Sequence, residues 1–127
     1  MEEEVAGLAR GVLDLARLAR LENDAPAEMV AGLVRDLYGE SVEHVDHITQ
    51  CVIGERLDEC ARVAHKLKSV AWSFGAMQIR DLARDVELGV KFEDVEGLRH
   101  LTRQLRDACA HTDAALKVYL GMGARVR

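Results

Sequence analysis

The segment AHKLKSVAWSFGAMQIRDLARDVE, residues 64–87, sets a histidine, His65, among charged and small neighbours. Residues three and four apart touch on a helix, so Lys68 and Ser69 flank the imidazole on one side and Ala61 and Arg62 on the other. Free imidazole titrates at about 6.5, so at neutral pH most of it is uncharged and carries a lone pair. Arg62 and Lys68 stand where a positive charge would favour a phosphoryl group on that nitrogen, although ordinary surface charges would look the same. A metal ligand would need partner residues that this stretch does not supply.

Whether His65 faces solvent follows from the helix that carries it. At about 100° per residue, Leu57, Cys60, Ala64, Leu67, Ala71 and Phe74 line up as one apolar stripe, widened by Val63 and Val70. His65 falls on the order of 140° from the stripe's centre, on the side of Asp58, Arg62, Ser69 and Ser73. A core histidine would lie on the stripe. A solvated histidine without a role is the alternative that the wheel leaves open. Trp72, the only tryptophan, lies at the edge of the same polar face. It reads either as an exposed aromatic in a contact surface or as an edge-of-core residue covering the next helix.

The elements that would position these residues are all helical. The 127 residues are 49% hydrophobic and 31% charged, with one proline and five aromatics set against many Ala, Leu, Arg, Glu and Asp. That composition suits one folded domain rather than a disordered chain, and it favours helices. Apolar residues recur at helical spacing from Glu2 to about Leu21, and ENDAP ends that run. The next helix runs from Pro26 to about Ile53, with a possible bend at Tyr38-Gly39 and a closing Gly54. A third spans about Glu55 to Phe74 and stops at Gly75; a fourth spans about Met77 to Leu88 and stops at Gly89. The last starts near Glu93 or Asp94 and ends about Leu120. No strand alternation occurs. Short loops make successive helices antiparallel, so the expected fold is all-α, an up-down-up-down antiparallel four-helix bundle. The bundle would take residues 25–121, an additional N-terminal helix (1–24) would pack on it, and 122–127 would form a flexible tail.

Several functions are excluded or disfavoured. No run of about 18 apolar residues is present, so a membrane span is not expected. The acidic start MEEEVAGLAR is unlike a secretion signal and points to the cytoplasm. A net charge of −5 without a concentrated basic face argues against nucleic acid. Cys51, Cys60 and Cys109 have no CxxC spacing and sit in apolar-periodic segments, which reads as buried thiols. A ferritin-like di-metal centre needs Glu-x-x-His, and the residues three before the five histidines are Ser41, His44, Arg62, Gly97 and Ala108. His44 and His47, with Glu43 or Asp46, offer a weak divalent-ion pattern that a solvated helix face explains better, so no metal site is expected. No serine occupies a glycine-rich elbow, and the GMG near the end is not a phosphate loop.

The 64–87 segment resembles the histidine-containing phosphotransfer domain, whose signature reads roughly A-H-x-L-K-G, then Gly, then L-x-x-L-x-x-x-L-E. Ala64, His65, Leu67, Lys68, Gly75, Ile79, Leu82, Val86 and Glu87 fall at matching intervals. Ser69 stands where the family usually has glycine, a small residue that leaves room for a partner. The resemblance implies that His65 accepts a phosphoryl group from one response-regulator receiver domain and passes it to another, or receives it from a hybrid or cognate histidine kinase. It further implies that Lys68 stabilises the phosphoryl charge, that Ser69 is the small residue at the contact, and that Ala61, Arg62, Trp72 and Gly75 belong to the partner interface. Mg²⁺ is then expected on the receiver, with no cofactor on this chain, no ATP-dependent kinase activity of its own and a monomeric state. Two alternatives are a phosphoacceptor module of a larger chemotaxis-type kinase and a bundle that regulates a response regulator by binding alone.

Overall fold

The computed structural model describes Gly7 and residues 9–126, with side chains through Gly121. Its helices are α1 (Leu15–Asp24), α2 (Ala27–Ile53), α3 (Leu57–Ser73), α4 (Met77–Lys91) and α5 (Val95–Val126). Helix α2 packs on α3, α3 on α4, α4 on α5, and α5 closes the circuit on α2. With short turns between them, this is the antiparallel four-helix bundle that the periodicity predicts. Each helix contributes its apolar stripe: Ile48 and Cys51 from α2, Cys60, Ala64 and Leu67 from α3, Ile79 and Val86 from α4, and Leu98 and Leu105 from α5 are fully buried. Burying one such leucine or isoleucine contributes about 1.5–3 kcal/mol, which is why the stripes dictate the packing. Tyr38 does not interrupt α2; its hydroxyl donates to the Cys109 carbonyl at 3.0 Å and fastens α2 to α5. Cys51, Cys60 and Cys109 are free and buried, as their settings suggest.

Helix boundaries depart from expectation in three places. The N-terminal run is not one helix to Leu21. Among the described residues it breaks at 10–14, where Gly11 takes φ +73° and the Asp14 carboxylate caps α1 by accepting from the Arg17 amide at 3.1 Å. The part of that run at residues 1–6 and Leu8 lies outside the described residues. The break is stabilised by a short antiparallel bridge from Leu13 to Ala76, with the Asp14 amide donating to the Gly75 carbonyl at 2.8 Å. Periodicity missed it because Val12, Leu13 and Leu18 are buried on either side of the turn.

Helix α4 passes through Gly89 to Lys91 rather than stopping at it. A Cβ at Gly89 would stand 2.8 Å from Leu98 Cδ2, so this glycine permits close approach of α4 and α5 rather than ending a helix. Helix α5 likewise continues past Leu120 to Val126, through the segment expected as a flexible tail. A helical glycine costs only about 1 kcal/mol relative to alanine, and no proline intervenes. Gly54 does cap α2 as expected, donating to the Gln50 carbonyl at 3.0 Å, while the left-handed residue is the next one, Glu55, at φ 51°.

Candidate functional site

His65 sits at the middle of α3, on the surface that the helical wheel assigns it. Ala64 and Leu67 beside it are fully buried and fix the rotation of the helix, leaving the His65 side chain 67% exposed. Across the groove, Val86 is buried in the same core, which turns the next residue of α4, Glu87, toward α3 at the rim. The Glu87 carboxylate then meets both functional candidates of α3. Its Oε2 lies 3.3 Å from His65 Nδ1, and its Oε1 lies 2.7 Å from Lys68 Nζ. The Lys68 approach is an ion pair whose angles fall short of a hydrogen bond, so its attraction is mainly Coulombic.

A carboxylate beside Nδ1 favours the ring form with the proton on that nitrogen, because only then does Nδ1 donate. The lone pair of the neutral ring is then on Nε2, the nitrogen away from Glu87. Glu87 matches the final position of the phosphotransfer signature, but nothing in the sequence links it to His65, 22 residues away. Their meeting depends on the register of α4 against α3, which neither helix encodes alone.

The other expected site residues divide. Ser69 and Arg62 are exposed and Ala61 is half-buried, all on the His65 face. The Ser69 carbonyl accepts from the Ser73 hydroxyl at 3.2 Å. Trp72 is 47% exposed, half open to solvent and half against its neighbours. Arg17 of α1 and Arg80 of α4 lie over its ring, their guanidinium carbons 5.4 and 5.2 Å from the centroid. Such cation–π contacts are worth about 0.5–1 kcal/mol at exposed sites and hold the indole in place.

Gly75 is a correction. It is buried under the Leu13–Asp14 segment, adopts φ +72°, and a Cβ there would lie 2.8 Å from the Asp14 carbonyl oxygen. It shapes the α3–α4 turn and offers no surface to a partner. The His44–His47 pattern also separates: His44 Nε2 turns to Glu40 at 3.5 Å, and His47 Nε2 to Glu59 at 2.7 Å.

A family model described as the Hpt domain matches residues 32–115, about two thirds of the chain. The match spans the whole of α3 and α4 and includes His65, Lys68 and Glu87. The chain belongs to the Hpt domain family. Membership brings phosphotransfer in two-component signalling, with receiver domains and kinases as the family's partners. Searches of curated proteins and of solved structures found no match. Among the described residues, no helix is long and apolar enough to cross a membrane.

Proposed function

We propose that His65 is a phosphoacceptor that relays a phosphoryl group between receiver-domain aspartates. The observation that carries this reading is the carboxylate of Glu87, 3.3 Å from Nδ1 of a ring that is otherwise open to solvent. The Nε2 lone pair attacks phosphorus of the partner's aspartyl phosphate in line. The P–N bond forms as the bond from phosphorus to the aspartate oxygen breaks, and the carboxylate leaves with the electron pair. The ring gains positive charge in this step, and Glu87 stabilises it through the Nδ1 proton. Transfer onward to a second receiver is the reverse sequence with a new carboxylate.

Positioning and charge stabilisation make up most of such catalysis. Lys68 is held at the site by Glu87 and supplies one cation for the phosphoryl oxygens. Mg²⁺ and the remaining acidic groups belong to the receiver, so an open face suffices here. Ala61, Arg62, Ser69 and Trp72 provide the surface on which the receiver docks. Ser69, small though not glycine, leaves the approach to the ring open.

The test is to mix the protein with a labelled, phosphorylated receiver domain, beside His65→Gln. Acid-labile, base-stable label on the wild type and none on the variant is the expected result. Failure to label with several receivers, by a protein whose circular dichroism is helical, would replace this reading with regulation by binding alone.

A further inference from the structure

We propose that His47, Cys51 and Glu59 form a binding site for one Zn²⁺ ion at the corner between α2 and α3. His47 and Cys51 are four residues apart and therefore stack on one face of α2. The turn at 54–56 reverses the chain and brings Glu59, in the first turn of α3, over them. Glu59 Oε2 lies 2.7 Å from His47 Nε2 and 3.2 Å from Cys51 Sγ, and the three donor atoms all stand within 4.8 Å of one another. In a tetrahedral zinc site, bonds of about 2.0–2.3 Å put donor atoms roughly 3.3–3.5 Å apart. The trio therefore reaches that geometry by side-chain shifts of under about an ångström, with the helices left in place.

The donor set selects the ion. Imidazole, thiolate and carboxylate suit zinc, whereas magnesium and calcium take oxygen ligands. Binding forms an S–Zn bond as the Cys51 thiol releases its proton to solvent, with no change of oxidation state. One thiolate and one carboxylate then cancel the ion's two charges. The Cys51 residue is fully buried while the His47 and Glu59 side chains are 48% and 36% exposed, so the site has an apolar floor and an open rim that admits water as a fourth ligand. Arg56 Nε stands 3.7 Å from Glu59 Oε1 and its guanidinium also reaches the Cys51 thiol, so the ion would take its place beside both. Glu59 precedes His65 by six residues, about 9 Å along α3, so the ion would clamp the helix corner without occupying the phosphoacceptor face.

The experiment titrates the reduced full chain with Co²⁺ as a spectroscopic probe, followed by displacement with Zn²⁺. One equivalent should produce a thiolate-to-cobalt charge-transfer band in the near ultraviolet, lost on adding Zn²⁺. Cys51→Ser should lack the band. Because Cys51 is buried and its variant can unfold, His47→Gln and Glu59→Gln on the rim are the deciding variants, each expected to bind at least tenfold more weakly. His65→Gln should bind like the wild type. Zn²⁺ should raise the melting temperature of the wild type by clearly more than that of His47→Gln at the same concentration. Absence of the band in the wild type, undiminished binding by both rim variants, or loss of binding in His65→Gln would each overturn the proposal.

Discussion

Glu87 stands 3.3 Å from Nδ1 of His65, contributed by the neighbouring antiparallel helix, and reaches Lys68 with its other oxygen. One carboxylate thus orients the imidazole and anchors the nearest cation. The contact favours the ring form with its proton on Nδ1, which leaves the lone pair on Nε2, the nitrogen away from Glu87.

If Glu87 acts through the ring's orientation, Glu87→Ala should slow phosphoryl transfer to His65 by about tenfold, the loss of about one charge-assisted hydrogen bond. Glu87→Gln keeps an oxygen that accepts from Nδ1 and should lie within roughly threefold of the wild type. Imidazole ¹⁵N shifts should report a smaller Nδ1–H population in the alanine variant only. Wild-type transfer by Glu87→Ala would show that the contact is merely structural.

Lys68→Ala should slow transfer by about tenfold without abolishing it, since His65 retains its nucleophilic nitrogen. The difference from the wild type should narrow with added salt, because partly exposed charges are screened over about 10 Å at 0.1 M. Stopped-flow transfer rates across a salt series check this. A variant that transfers faster than the wild type at low salt would rule out the charge-stabilising role.

What was legible in the sequence follows from what a single helix reports. The α3 stripe from Leu57 to Phe74 contains its own rotation, so the outward aim of His65 follows from residue types alone and agrees with its exposure. Four apolar-faced helices with short turns leave little choice of architecture. Relations between helices were not legible. Glu87 meets His65, and Glu59 meets His47, only through the register of α4 or α2 against α3. Gly89 reads as a helix stop, but its lack of a side chain serves the contact with Leu98. Gly75 stands in the family's motif and reads as part of the contact face, yet its work is conformational.

Gly75 makes that work measurable. At φ +72°, an L side chain costs about 1–2 kcal/mol, and the added Cβ would also press on the Asp14 carbonyl oxygen at 2.8 Å, a backbone atom with little room to yield. Gly75→Ala should therefore cost at least about 2 kcal/mol and lower the melting temperature by roughly 5–10 °C for a domain of this size. Gly39→Ala is the contrast: nothing lies within 4 Å of a Cβ there, and in mid-helix the substitution should be neutral or stabilising by up to about 1 kcal/mol. Thermal denaturation of the two variants side by side decides it; equal melting temperatures would remove the strain assigned to the α3–α4 turn.

The buried thiols predict how the fold responds to alkali. Burial first, with lesser contributions from Cys51 and Asp46 respectively, pushes Cys60 and Cys109 from the ordinary thiol value of 9.0 up to about 11. In the unfolded chain both thiols ionise near 9, while in the folded protein they keep their protons until about 11. Between those limits the unfolded state binds fewer protons than the native state, so stability falls as pH rises. The contribution is fully present below about pH 9, declines between about 9 and 11, and levels off above. Tyr38 and Tyr119, raised from 10.0 to about 12, chiefly by burial, extend the same decline upward. Chemical denaturation should accordingly show little thiol-linked change from pH 7 to 8.5 and a progressive loss above 9. In a Cys60→Ala, Cys109→Ala double variant, which is less stable at neutral pH, the slope between 9 and 11 should flatten. An unchanged slope in that variant would assign the alkaline loss to groups other than these two thiols.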